Sequence, residues 1–589
     1  MKINVRKPGT RELLFFFCLF FFSTALTLKT NQGRGVYNWQ SQIWSDKAGY
    51  YMYLPATFLY HFETSKCPEG IDEKTGYGFT VDRKNNTIST QYFYGVSLLV
   101  SPFFLSAHVI SKISGQDELG GFSEIFQRFT EISGVFYLIL GLFFLKKFIR
   151  NYFRESLQYF IILVTFLGTN LFYYAIKDNL MSHVYSFFAI SLFLFAMKEF
   201  LADQTRYRYF LLMSVAFGLM FVIRPTNCLV GIAFLFWDST NKKEIMTRLR
   251  LIFLPKYLFP LLGIMFLFML PQMLYWKMVH GTFIYLKYGE KFVNWNNPKL
   301  LEVWFSTLNG LIPWSPVVLL FFISMLFMIM KKINNGILIL VFFLLISYMA
   351  ASYRYWYFGC GYGHRAFVEF YPLFCIPFGF LTEKLFARQG RIIKVIFSLL
   401  VLFVIYMNVG LSLCADKCNF CSTWDWNQYS RSLHRIHLYP GPTRQFVFKN
   451  DFENGALSNG NKVTDSISNS RNWCAVLDKD NETCCEHTAM VWDFGGQFPK
   501  FMNVRLSVRK VKSGPVNAFL VCSFEKNDSV RIMQLQRLDP FVRDNLSWFT
   551  VFKTFLVPDG LPGDTRLKIY VWNKERSSFF VDDLRIKYE

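Results

Sequence analysis

Long apolar runs recur throughout this 589-residue chain and dictate what it can fold into. A run of about 17–25 apolar residues can cross a bilayer, and only a helix pairs every backbone N–H and C=O inside such a segment. Such runs fall near 12–28, 131–146, 157–175, 181–198, 208–223, 226–238, 252–276, 311–330, 334–352, 366–385 and 393–413. Pro225 parts the short run 226–238 from its predecessor, so those two read as a tight hairpin. Hydrophobic residues make up 52% of the chain and charged residues only 18%, which puts most of it in lipid.

Charge then sets orientation. Lys2, Arg6, Lys7 and Arg11 precede the first run and hold the N-terminus inside, and the run itself reads as a retained anchor. Alternate connections carry the later basic clusters: 146–154, 198–208, 241–250, 331–332 and 384–394. All fall inside with eleven spans, and the C-terminus then lies outside. A net charge of +22 would suit nucleic acid, but its Lys and Arg are dispersed between apolar blocks, so no nucleic-acid partner is expected. The apolar stretch 92–110 would invert every later loop if it crossed. It is therefore expected to lie along the outer interface as a helix or a re-entrant pair, broken at Gly95 and Pro102. The expected layout is a multi-spanning domain over 1–413 with a long first outer loop (29–130), a cysteine-containing linker (414–439), and an exported domain (440–589).

Past 414 the apolar blocks give way to short alternating stretches such as "FMNVRLSVRKV" and "RLKIYVWNK", separated by Gly, Pro, Asn or Asp. Those are strand and turn signals, and they predict an all-β sandwich of jelly-roll type. Seven of the twelve cysteines lie here: Cys414, Cys418, Cys421, Cys474, Cys484, Cys485 and Cys522. An exported position favours disulfides among them over a metal knuckle.

The outer connections hold the candidate chemistry. In "WSDKAGYYMYLP" Asp46 reads either as a helix N-cap or as a general base or metal ligand walled by tyrosines, Tyr50 among them. Asp178 and His183 share the next outer turn and can face one cavity, because ionisable groups at membrane depth are costly without a role. Arg224 ends a span at the outer side, as a snorkelling residue or an anion clamp. In "YRYWYFGCGYGHRAFVEFYP" the glycines let backbone approach a ligand, and His364 and Arg365 suit a phosphate; the plainer reading pairs Arg365 with Glu369 along a helix. The loop 276–316 adds Tyr288 and Glu290 as sugar contacts or as part of an interfacial belt, and Tyr92 lies in the first loop.

This arrangement resembles the GT-C glycosyltransferases, most closely their protein O-mannosyltransferase and lipid A aminoarabinose transferase branch. "STQYFYGVSLLVSPFFL" and "GCGYGHRAFVEFYPLF" look like that branch's first-loop and Gly-rich segments, over about residues 1–413. The resemblance implies a polyprenyl-phosphate-linked sugar donor and transfer to a glycan, lipid or protein hydroxyl, with inversion, outside an inner membrane of bacterial type. Asp46 would be the base, Asp178 and His183 would assist or join it around a divalent metal, and Arg224, His364 and Arg365 would hold the donor phosphate. Tyr50, Tyr92, Tyr288 and Glu290 would contact substrate. Many members of the family work without metal, so the resemblance leaves the divalent metal open. Lys47 departs from the mannosyltransferase Asp-Glu pair. The tail's first and last strands resemble carbohydrate-binding modules, which implies a structural calcium at Glu453 and Asp582. The alternatives are a lipid-linked glycan transporter or flippase, and a non-enzymatic anchor for a carbohydrate-binding tail. The sequence shows neither the mid-span charges nor the internal repeat that a transporter needs.

Overall fold

The computed structural model describes residues 9–588 apart from short stretches, the longest being 286–293, 416–422, 437–446, 454–461 and 539–545. The chain is helical up to about residue 435 and β-stranded beyond 447. It divides into two compact units. The helical unit comprises Met1–Arg34, Asp46–Cys67 and Gly78–Gly441; the other comprises Gly35–Ser45, Pro68–Tyr77 and Pro442–Glu589.

Among the described residues, seven helices are long and apolar enough to cross a membrane, and five shorter apolar helices accompany them. One of the seven is Gly95–Ser114, which corrects the expected break: a single helix runs through Pro102. Proline removes the N–H that would bond the Leu98 carbonyl, and the Ser101 hydroxyl donates to that carbonyl instead (2.8 Å). Gly95 lies against the backbone of Val222 and Ile223, beside Arg224. At mid-helix, Phe104 meets Phe126, at the start of the Glu124–Ile149 helix, with ring centroids 5.1 Å apart. The first half of Gly95–Ser114 therefore lies between the Arg224 end of the Tyr207–Ile223 helix and the start of the Glu124–Ile149 helix. Eleven apolar helices remain, in the regions where runs of span length were read.

The hairpin at Pro225 closes differently from a pair of α-helices. Pro225–Ile232 is a 3₁₀ helix, followed by the four-residue helix Ala233–Phe236. The tighter 3₁₀ winding rises more per residue, so twelve residues reach further than the same length of α-helix. The expected run 157–175 is likewise two helices, Glu155–Gly168 and Leu171–Ile176. The break leaves carbonyls unpaired in an apolar setting, and Asn408 Nδ2 donates to those of Leu167 and Thr169, each at 2.8 Å. Non-helical backbone is tolerated at such depth only where protein groups satisfy it in this way.

At the opposite pole the basic connections meet acids. Lys146 and Lys147 reach Glu12 at 3.1 and 3.0 Å, and Arg150 reaches Glu199 at 2.7 Å. Lys198 pairs with Asp238. The basic clusters 146–154 and 198–208 thus share one end of the bundle with Glu12 and Asp238.

In the helical unit Thr80–Asp82 (β1) and Thr87–Ser89 (β2) pair antiparallel, and the second unit is a two-sheet antiparallel β domain. One sheet runs β10-β7-β12-β5-β4, with β3 (Val447–Asn450) paired to β12 (Phe579–Tyr588); the other runs β6-β11-β8-β9. Here β4 is Val463–Thr464, β5 Cys474–Leu477, β6 Thr483–Met490, β7 Phe501–Lys510, β8 Ala518–Lys526, β9 Ser529–Arg537, β10 Phe549–Leu556 and β11 Arg566–Asn573. Leu567, Ile569 and Val571 of β11 are buried while Arg566, Lys568, Tyr570 and Trp572 are less so, the period-two pattern of a half-buried strand. Cys414, Cys474, Cys484, Cys485 and Cys522 stand in the thiol form in this structure, and Cys418 and Cys421 lie outside the described residues. Cys360, in the Gly-rich turn, is disulfide-bonded.

Candidate active site

Asp46 opens the short helix Asp46–Tyr51, but its carboxylate does not cap it. Oδ1 accepts a hydrogen bond from the Tyr92 hydroxyl (2.6 Å), and Oδ2 accepts from Arg365 Nη2 (3.2 Å). Gly49 makes the first contact possible. A Cβ there would lie 2.4 Å from the Tyr92 ring, so only a bare backbone lets that ring slide past to Asp46. Tyr50 completes the wall, its ring centroid 4.3 Å from that of Tyr92 and its hydroxyl accepting from Ser182 (3.2 Å). Burial raises the Tyr50 phenol above its ordinary range, so it stays protonated.

Lys47, the next residue, points to a second acid. Its ammonium pairs with Asp178 at 2.5 Å, both side chains less than a tenth exposed. Asp178 thus stands at Lys47, while His183 stands at Glu369. His183 Nδ1 lies 2.8 Å from Glu369 Oε2, and Arg224 Nη1 bonds Glu369 Oε1 at 3.0 Å while lying 3.2 Å from His183 Nδ1. The i,i+4 pairing of Arg365 with Glu369 is also corrected. Residues Arg365–Phe370 form a 3₁₀ helix, where positions three apart align and positions four apart diverge. Arg365 is thereby turned to Asp46 and Glu369 to Arg224.

The Gly-rich turn works by close packing. Gly359 and Gly363 have φ of +69° and +59°, which favour glycine, and a Cβ on Gly361 would lie 2.7 Å from the Tyr174 hydroxyl. That hydroxyl accepts from the Tyr362 N–H (3.1 Å), so this amide is engaged within the protein rather than turned to a ligand. His364 is likewise absorbed: it is buried, with Nε2 2.9 Å from the Trp356 carbonyl. Burial pushes its imidazole down to about 3, so it is neutral and offers a phosphate no charge. Arg365 is the cation left to the site from this turn. One of its nitrogens bonds Asp46, and it lies over the Phe358 ring at 5.8 Å. Tyr288 and Glu290 lie outside the described residues.

The donor sets do not suit the expected metals. The Lys47 ammonium stands at Asp178 and Glu369 stands at His183, so these two do not join Asp46, and among the described residues no three His, Cys, Asp or Glu gather. In the β domain, Glu453 accepts from the N–H groups of Asn472 and Trp473. Asp582 accepts from those of Asn469, Ser470 and Asp583. Burial nonetheless pushes the Asp582 carboxyl up. Both acids are satisfied by amide donors where a calcium site would supply oxygen ligands.

The four connections carrying Asp46, Asp178, Arg224 and Arg365 thus converge within the helical unit. Lys47 and Glu369 were read in the sequence only as a departure from the Asp-Glu pair and as a helix partner of Arg365, not as site residues. The available signals were an ammonium placed directly after the candidate base and a second acid just beyond the Gly-rich turn.

No family model and no curated protein matches the chain. Among solved structures it is similar to the oligosaccharyltransferase AglB of Archaeoglobus fulgidus, described in complex with an inhibitory peptide and a dolichol-phosphate. Identity is 14% and the TM-score 0.43, covering 74% of this chain and 61% of that one. The same archaeal enzyme in its apo form matches at 11% identity with the same TM-score and coverage. The chain therefore spans 61% of the length of these proteins. It is also similar to the CBM22-2 xylan-binding domain of Paenibacillus barcinonensis Xyn10C, at 18% identity and a TM-score of 0.19, over 24% of this chain and 99% of that domain.

Proposed function

We propose that the protein is an integral-membrane glycosyltransferase of GT-C type, moving a sugar from a polyprenyl-phosphate donor to an acceptor hydroxyl outside the membrane, with inversion. The observation that carries this reading is the Asp46–Arg365 contact: a carboxylate and a guanidinium from connections 319 residues apart meet at a tyrosine-walled site. The Asp46 side chain is 38% exposed whereas that of Glu369 is 2% exposed, so Asp46 is the acid a substrate can reach.

In the proposed step Asp46 takes the acceptor's hydroxyl proton as the acceptor oxygen bonds the anomeric carbon. The bond from that carbon to the phosphate oxygen breaks on the opposite face, and the lipid phosphate leaves as an anion. A general base of this kind contributes about 10²–10⁴-fold. Arg365 meets the leaving charge, its rigid fork suited to phosphate. It already sits at Asp46 before the donor arrives, at 3.2 Å. Tyr92 fixes the carboxylate's direction. Arg224, Glu369 and His183 form an adjoining buried network that braces the wall, and Lys47 with Asp178 anchors the helix carrying Asp46. The calcium and divalent-metal expectations enter no step, and a glycan-holding role for the β domain accompanies this reading.

Arg365→Gln tests the donor half. With purified protein and a radiolabelled polyprenyl-phosphate sugar, transfer should fall by about 10²–10³-fold in kcat/KM, the scale of losing one oxyanion-stabilising group. Unchanged transfer would remove Arg365 from the site.

A further inference from the structure

The β domain holds a cysteine pair that none of this chemistry uses. Cys484 and Cys485 are adjacent in β6, and both are buried. Their sulfurs lie 2.8 Å apart, closer than two sulfurs sit in ordinary non-bonded contact. Successive side chains of a regular strand point to opposite faces, so neighbours in a strand should be unable to do this. The backbone explains the exception. Cys485 has φ +63°, and the register between β6 and β11 shifts here: Val571 faces Cys484 and Ile569 faces His487, so two β6 residues oppose one on the partner strand. That bulge turns both thiols to one side, at the cost of a left-handed conformation that a residue with a Cβ resists.

We propose that Cys484 and Cys485 close into a vicinal disulfide, a redox modification site that covalently fixes the bulge. Adjacent Cα atoms sit about 3.8 Å apart, short of the span of most disulfides, so the ring forms only where the backbone is already turned, as it is here. One thiolate attacks a disulfide-bearing oxidant of the thiol–disulfide exchange class, forming a mixed disulfide and releasing one thiolate. The second cysteine's thiolate attacks the sulfur of the first and displaces the oxidant's other half. The two cysteine protons end on the two released thiols, and the oxidant takes the two electrons. Supply of that oxidant in the cell rests on the exported placement of the domain. The closed loop is too short for loop-closure entropy to matter; the ring fixes local geometry instead. Cys474, buried in β5 of the other sheet, is near enough to sense the charge of Cys485 and is the competing partner.

The full-length protein, purified in detergent without reductant, is denatured in excess N-ethylmaleimide and mapped by peptide mass spectrometry. The proposal expects the peptide holding 484 and 485 to be unalkylated and two hydrogens lighter, taking up two maleimides only after reduction. Both cysteines alkylated directly, in cell-derived protein and again after folded, reduced protein is incubated with oxidised glutathione, would overturn it. A cross-link from Cys474 to either residue would overturn it as well. A ring formed with glutathione but missing from cell-derived protein supports the site and counts instead against the exported placement.

Discussion

Replacing Lys47 with methionine keeps the side chain's length and packing but removes its charge. Asp178, whose side chain is 9% exposed, then loses the ammonium 2.5 Å away. Breaking a buried pair from one side costs about 3–5 kcal/mol, because the remaining carboxylate loses its buried counter-charge or must take up a proton. At about 1.4 kcal/mol per decade this is roughly two to four powers of ten in the folding equilibrium. Replacing both partners with apolar residues of similar size is often neutral, so Lys47→Met with Asp178→Leu should recover most of the loss. The coupling between the two changes should exceed about 2 kcal/mol, well above the value expected of independent sites. Unfolding in mixed micelles, followed as the denaturing detergent fraction is raised, measures all four corners of the cycle. Transfer by the double variant should stay within about tenfold of wild type, because the pair positions the helix carrying Asp46 and takes no proton. A Lys47→Met protein that unfolds at the wild-type midpoint would refute the reasoning, since the pair could not then be buried in the native state.

Gly49→Ala places a methyl 2.4 Å from the Tyr92 ring. It should cost about 1–3 kcal/mol of stability and lower transfer by displacing the Tyr92 hydroxyl from Asp46; equal activity and stability would show that the ring has room to move. His487 in the β domain is held neutral by burial, its imidazole pushed down to about 4 and stacked on Phe448 at 3.9 Å. The unfolded chain binds that proton more readily, so the stabilisation of the neutral form is present above about pH 6.5 and is lost as pH falls from there toward 4. Melting of the β domain within the full-length protein should show this slope, and His487→Phe should flatten it; an unaltered slope would assign it to other groups.

The multi-spanning region was legible because apolar runs and alternating basic clusters report on lipid and sidedness with little help from tertiary contacts. The β domain was legible in the strands that alternate strongly, such as Phe501–Lys510 and Arg566–Asn573. "CAVL" and "TCCEHTAM" were not, because one is short and the other is bulged and rich in residues that read as loop. Candidate site residues could be named from their position at span ends, yet their pairing could not. Arg365 reaches Asp46 rather than Glu369 because the segment winds as a 3₁₀ helix, a choice made by packing. His364 is a similar case. A histidine beside an arginine after glycines looks like an anion site until burial and the Trp356 carbonyl claim it.

Asp46→Asn tests the account most directly. The change keeps the shape and one acceptor oxygen, which can stay on Arg365, while the amide NH2 faces the Tyr92 hydroxyl, which can accept from it; the basicity is removed. With purified protein, a polyprenyl-phosphate sugar and acceptor, the account predicts that single-turnover transfer falls by at least about 10²-fold while donor binding and detergent stability hold. Transfer at the wild-type rate would contradict it.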